Sequence, residues 1–487
     1  MKEKLKELTK DTAIYGISTI LGRFLNFLLV PFYTNIFLPA DYGVINVLYS
    51  YIAIFNILFI YGLDSAYLKF ASLKEIGDDK DNFSTPYISI FITSVIFLFV
   101  LVLVRNPISV FVEIDPAKNY LIVLSALIMF FDANSVIPFL KLRLDRKAKL
   151  FSVLRIVNII LNIGLNVFLI VKLKWGIEAV FVSNLIASVI TWLLVIPIII
   201  SNFRFSFHIQ LFKRLLKFGL PYLPAGFAVM LVQVIDVPIM QKLTDTKTVA
   251  IYKASYRLGI FMMLFVNMFQ FAWQPFFLNN AKEANAKEMF SKVMTYFTLT
   301  GTILLVVLSL FIEDIAKANL GGFSLIGKNF WEGLYIVPAI LLGYLFNGFY
   351  VVFSAGIFIE EKTIYAPIVA GLGAVTNIAA NYLLIPHLSI LGAALATLFS
   401  YVVMALGYYI VTQKYYHINY DYYKLTKISI AVTFIAAVYY LLMYGGYLNI
   451  YYKIILVLIF FSYLITNVIE KNELNLIKSK LLAEIND

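Results

Sequence analysis

KDTAIYGISTILGRFLNFLLVPFYTNIFLPADYGVINVLYSYIAIFNILFIYGLDSAYLKF, residues 10–70, is the stretch whose reading decides the fold. Two long apolar runs flank the short turn LPADYG, residues 38–43. Each run is long enough to cross a hydrocarbon layer about 30 Å thick as a helix. Neither alternates apolar with polar residues, as a barrel strand must. Arg23 stands inside the first run, 12 residues past Asp11. That separation is roughly 18 Å along a helix axis, near the middle of the layer. A charge at that depth is costly unless it faces water, a counter-charge or a ligand.

The pattern continues through the chain. Apolar runs recur near 11–36, 42–66, 85–104, 119–140, 150–171, 176–200, 219–241, 248–275, 293–312, 334–358, 364–385, 391–412, 427–444 and 452–469. The 487 residues are 61% hydrophobic and 14% charged, whereas soluble domains carry about 25% charged residues. The expected fold is an all-α polytopic membrane protein with fourteen transmembrane helices. The leading MKEKLKELTKD is a charged lead-in without a small-residue cleavage site. The tail EKNELNLIKSKLLAEIND reads as a short amphipathic helix at a solvated end.

Composition also excludes chemistry. Without cysteine there is no disulfide, thiolate metal site or cysteine nucleophile. Three histidines, His208, His387 and His417, do not suffice for a multi-histidine metal centre. No Walker-type phosphate loop is present. The segment 313–333 is short and lacks a dense carboxylate or histidine cluster. No metal, cofactor or catalytic activity is expected.

The net charge of +11 first suggests nucleic acid. Its distribution says otherwise. With the N-terminus inside, 26 of the 39 lysines and arginines fall in inner segments, nine in outer loops and four within spans. Such a bias is a topology signal that places both termini in the cytoplasm, and nucleic acid drops out as a partner.

Internal echoes divide the chain. Adding 207 to positions in the opening stretch places Pro31 on Pro238 and Tyr49 on Tyr256. NIGLN, 162–166, followed by WGIEA, 175–179, is echoed by NIAAN, 377–381, followed by LGAALA, 391–396. A parallel repeat of six helices plus six is expected, with a cavity between the halves. The boundaries are a lobe over 1–200, a basic amphipathic cytoplasmic linker over 201–218, a second lobe over 219–412, and a further helix pair with a tail over 413–487.

The four basic residues within spans are Arg23, Arg155, Lys253 and Arg257. Lys253 and Arg257, four residues apart, share a helix face. By residue count Arg257 lies about 14 Å into its run, at a depth like that of Arg23. Adjacent cations in a low dielectric repel unless an anion joins them, and phosphate suits guanidinium forks. Asp132 and Asp236, also within spans, serve either charge pairing or the binding of H⁺ or Na⁺. The excess of basic over acidic residues favours an anionic cargo. Pro31 and Pro238 interrupt apolar runs and are candidate hinges.

The opening stretch resembles the start of the polysaccharide flippases, the Wzx-like O-antigen and capsule repeat-unit transporters. These share a superfamily with multidrug extruders and lipid II flippases. The resemblance rests on Gly22-Arg23, on Pro31 and Thr34, on Tyr42-Gly43, and on Gly62-Leu63 through Phe70; it extends to NIAANYLLIP, 377–386, and LGAALATLFSY, 391–401. It implies movement of undecaprenyl-diphosphate-linked oligosaccharides across the cytoplasmic membrane by alternating access. It further implies coupling to H⁺ or Na⁺, and polymerase and glycosyltransferase partners of the same pathway. Arg23 matches the family's cavity arginine and Arg257 a frequently basic position. Lys69 stands where relatives commonly carry arginine, at a place that would gate the cavity. Two other readings stay open: a cation-coupled multidrug or small-molecule antiporter using Asp132 or Asp236, and a non-transporting scaffold of a membrane biosynthetic complex.

Overall fold

Prolines and glycines set where the helices break and where they touch. The computed structural model describes residues 20–73 and 76–470. Asp11, the start of the first expected run and the C-terminal tail lie outside the described residues. Among those described, twelve helices are long and apolar enough to cross a membrane, or thirteen when a bent pair counts as one span. The shorter apolar helix α1 (Ile20–Ile36) accompanies them. The others are α2 (Pro39–Leu73), α3 (Asp79–Leu103), α4 (Pro116–Leu144), α5 (Ala148–Lys172), α6 (Glu178–Asn202) and the bent pair α7 (Gly226–Val234 with Asp236–Leu243). They continue as α8 (Thr246–Asn280), α9 (Ala286–Lys317), α10 (Lys328–Ile359), α11 (Tyr365–Leu388), α12 (Ile390–Tyr415), α13 (Tyr422–Tyr444) and α14 (Ile450–Asn467). Each expected run carries a helix. The protein is a multi-pass, all-α membrane protein.

α1 and α7 break alike. The turn at Leu28 precedes Pro31 by three residues, and the break at Ile235 precedes Pro238 by three. Proline lacks the N–H that would bond the carbonyl four residues back, that of Phe27 or of Val234. The helix therefore restarts with proline in its first turn, where a missing donor costs nothing. The bend in α7 is 46°. The echo of NIGLN in NIAAN is likewise an echo in bonding. Asn166 donates to both the backbone and the side-chain oxygen of Asn162, and Asn381 does the same to Asn377.

The described residues fall into two compact units. The first takes the chain up to Ile260, with Lys317–Ile336 and Ala366–Met404. At one end of it, Gly43 of α2 lies so close to the Thr246 carbonyl of α8 that a Cβ would collide with it. There the antiparallel strands β1 (Asn319–Leu320) and β2 (Phe323–Ser324) lead into the 3₁₀ start of α10. Asn35 donates to the Ser324 carbonyl at 2.6 Å, and the Gly327 N–H donates to Thr34 at 3.1 Å. At the other end, α2 breaks at Tyr61 and Gly62, both with positive φ. Gly62 packs against the Gly219 carbonyl, leaving no room for a side chain. Asp78 and Asp81 cap α3 reciprocally, and Arg204 and Ser206 reach Asp81 at 2.5 and 2.6 Å. The linker is thus tied to α3 before its helix, Ile209–Gly219, begins. That helix buries Leu211 and Leu215 and exposes Lys213, Arg214 and Lys217.

The second unit takes Phe261–Ala316, Val337–Tyr365 and the described residues from Ala405 on. Phe269 stacks on Trp273 and meets Phe297 at a tilt, at 5.7 and 4.4 Å between ring centres. Trp273 donates its indole N–H to the Val352 carbonyl at 3.2 Å. α13 and α14 cover α9, with Ile428, Ile435, Phe460 and Leu464 in one apolar cluster with Val306 and Leu310. Lys453, at the very start of the last expected run, is buried in α14 and bonded to Asp314 of α9.

Candidate functional site

All four basic residues singled out within the spans lie in the first unit, and each has a different setting. Arg155 rests its guanidinium over the Phe139 ring at 4.6 Å and near Phe151 at 5.7 Å, contacts that hold a cation against aromatic faces. Asp132 of α4, beside Ser188 of α6, is the acidic group whose field reaches Arg155. One turn beyond Arg155, the Ile159 methyl lies 3.0 Å from where a Cβ on Gly22 would be. The exposed Arg23 therefore enters beside this part of α5.

Lys253 belongs to a separate cluster. Asp236, 1% exposed, opens the second half of α7. Tyr252 donates a hydrogen bond to its Oδ2, and Lys253 Nζ lies 3.6 Å from that oxygen. The break before Pro238 is what brings a carboxylate to this position. Asp236 Oδ1 has no hydrogen-bond partner among the described residues. Lys253 is buried, with its ammonium 4.6 Å from the centre of the Tyr256 ring.

Arg257 follows one turn later, where α8 tightens into a 3₁₀ turn over Arg257–Gly259. A tightened stretch inside a long helix often marks a hinge. Unlike Lys253, Arg257 is exposed. Its neighbours are tyrosines: the Tyr42 hydroxyl interacts with the guanidinium, and Tyr33 and Tyr49 lie within its field.

Arg23 and Arg257 do not converge as residue counting suggests. The C-terminal end of α1 and the N-terminal end of α8 lie at the same end of the unit, so the two helices run in opposite directions. Side chains lean toward the N-terminus of their own helix. The Arg257 head accordingly reaches toward Tyr42 and Tyr33, and Arg23 leans the other way. Tyr33 stands ten residues, about 15 Å, along α1 from Arg23. The cations form two levels rather than one cluster.

Between the levels runs a set of polar side-chain contacts that residue-type counting missed. Tyr33 donates to Asn166 at 2.7 Å, Asn184 to Tyr49 at 2.8 Å, and Asn158 to Thr191 at 2.8 Å. The signal was readable as Asn158, Asn162 and Asn166 at four-residue spacing, one helix face. Lys69 sits at the far end of the unit, its ammonium 4.1 Å from the Phe218 ring of the linker helix. Pro31 and Pro238 mark the two helix breaks.

A family of sequences described as "Polysaccharide biosynthesis protein" matches residues 8–281, more than half of the chain. The chain belongs to this family. The matched stretch contains every candidate residue above. Among curated proteins none matches the sequence significantly. Solved structures similar to this polysaccharide biosynthesis protein include the lipid II flippase MurJ in an inward closed conformation. The two are 20% identical, with a TM-score of 0.70 over 94% of this chain and 100% of that one. A multidrug resistance MATE family transporter of the MOP superfamily is similar in an inward-facing and in an outward-facing conformation, at 14% identity. Its inward-facing form has a TM-score of 0.64 over 80% of this chain and 94% of that one; its outward-facing form has 0.58 over 83% and 95%. At such identities the likeness establishes a shared fold.

Proposed function

We propose that the protein flips undecaprenyl-diphosphate-linked oligosaccharide repeat units across the cytoplasmic membrane, by alternating access, in surface polysaccharide biosynthesis. The observation that carries this reading is Arg257, an exposed guanidinium among tyrosines within a membrane-crossing helix, while neighbouring Lys253 is engaged by Asp236. An exposed cation there suits an anionic headgroup, and guanidinium pairs well with phosphate. Arg23 and Arg155 offer a second cationic level, so a diphosphate passes from one to the other while the lipid tail stays in the bilayer. Each level lowers the cost of carrying charge through a low dielectric.

In this reading the lobes are residues 1–200 and 219–412, joined by the linker, and both termini are cytoplasmic. Arg23, Arg155 and Lys69 then lie toward the cytoplasm and Arg257 toward the outside. Membership in the polysaccharide biosynthesis family supports the cargo class, and glycosyltransferases and a polymerase act before and after this step. Deletion of the gene tests it: one cytoplasm-facing lipid-linked oligosaccharide accumulates, and the wild-type gene clears it. Normal surface polysaccharide without accumulation in the deletion strain refutes it.

One observation favours a second reading, cation-coupled antiport: the unpartnered oxygen of buried Asp236. Drug resistance on expression, lost in Asp236→Asn and kept in Arg257→Ala, supports that reading over the first.

A further inference from the structure

The amides of α5 have a fixed polarity. Thr191 donates its hydroxyl proton to the Ala187 carbonyl, so toward Asn158 it can only accept. Asn158 must therefore turn its NH₂ to Thr191, which leaves its Oδ1 open. Asn166 must present its NH₂ to the Asn162 carbonyl, because a carbonyl oxygen cannot donate. The same NH₂ reaches the Asn162 side chain at 2.6 Å, which requires the Asn162 Oδ1 there. The Asn162 NH₂ is therefore turned away, and no partner for it is found among the described residues. Tyr33, donating to Asn166 Oδ1, closes the chain.

Two half-buried groups one helical turn apart are thus left open: an acceptor at Asn158 and a donor at Asn162. Asn158 and Asn162 are about 5–6 Å apart at their Cβ atoms and share a face with Arg155. The opposite face of α5 carries Val153, Ile160 and Val167, exposed and apolar, as a lipid-facing surface is. The polar face thus points inward, where Arg155 is also exposed. The echo in α11 behaves differently. Asn377, the counterpart of Asn162, is fully buried at 0% exposure, so its NH₂, also unpartnered among the described residues, is closed off from any ligand.

We propose that Asn158 and Asn162 form a carbohydrate subsite that takes adjacent hydroxyls of the headgroup sugar, an acceptor and a donor matched to a group that both donates and accepts. Thr191 and Asn166 act as positioning residues that hold each amide in its orientation. The proposal rests on the flippase reading and adds to it the part of the headgroup that α5 recognises.

The test measures binding of two probes to the purified full-length protein: undecaprenyl diphosphate alone, and the same lipid carrying one hexose. Wild type is expected to bind the hexose-bearing lipid about tenfold more tightly, the worth of one to two hydrogen bonds. Asn158→Leu and Asn162→Leu are each expected to lose most of that difference, with affinity for the bare lipid unchanged. Thr191→Val, which leaves both amides in place but frees Asn158 to turn, is expected to lose part of it. Equal affinity of wild type for the two probes, or a preference that survives in both leucine variants, overturns the subsite. Absence of binding to the bare diphosphate lipid instead overturns the flippase reading itself. Should the leucine variants not fold, the Thr191→Val result decides: an undiminished preference overturns the subsite.

Discussion

Arg257 and Lys253 stand one turn apart on the same helix, and their environments separate what each can do. Arg257 is exposed and contributes little to the apolar packing, so Arg257→Ala is expected to keep the unfolding temperature of the purified protein and sharply reduce export of lipid-linked oligosaccharide. Wild-type surface polysaccharide in that variant would remove the residue from the site. Lys253 is buried against Asp236. Lys253→Met leaves a carboxylate unpaired and should destabilise by about 3 kcal/mol, because breaking one side of a buried pair strands the other charge. The double change Lys253→Met with Asp236→Asn should recover most of that loss, read as unfolding temperature in detergent. Sequence spacing correctly placed both cations on α8 and both aspartates within spans. It could not distinguish a cation already paired from one held open, because that depends on which side chain the break in α7 delivers.

Helices break in this protein where proline removes a donor, and the breaks are features of elements rather than of single contacts. Pro238→Ala restores the N–H that the Val234 carbonyl lacks. It is expected to straighten α7, to hold or raise the unfolding temperature, and to slow export severalfold; unchanged export with a lowered unfolding temperature would argue against a hinge. α2 tests the opposite case, a contact that forbids a side chain. Gly43→Ala drives a methyl into the Thr246 carbonyl, and overpacking of this kind costs about 1–3 kcal/mol. The loss should appear as a lower unfolding temperature, while Gly164→Ala, with open space around it, serves as the neutral comparison. The prolines and the repeat register were legible from the chain alone. The collision at Gly43 was not, since Thr246 is distant in sequence and nothing in either segment announces the other.

At the scale of the molecule, the chain's lack of cysteine makes its orientation directly measurable. Tyr447→Cys, in the exposed turn between α13 and α14, should react with an impermeant thiol reagent in intact cells. Thr363→Cys, in the exposed turn between α10 and α11, should react only after permeabilisation. The reverse pattern would invert the proposed topology. Hydropathy and the distribution of lysine and arginine suffice for a many-span helical protein and for an expected orientation, because a bilayer sorts residues by local character along each run. Mid-run charges, prolines and the asparagine spacing are likewise local properties, open to a reader of the sequence. Tertiary structure decided what those residues meet. Antiparallel helices lean their side chains in opposite directions, so Arg23 and Arg257 part company although residue counts put them level. Thr191 and Asn166 orient two amides that sequence shows only as a repeat. Lys453 finds Asp314 and becomes part of a core. Contacts between distant segments depend on how helices cross, and no single helix encodes the crossing.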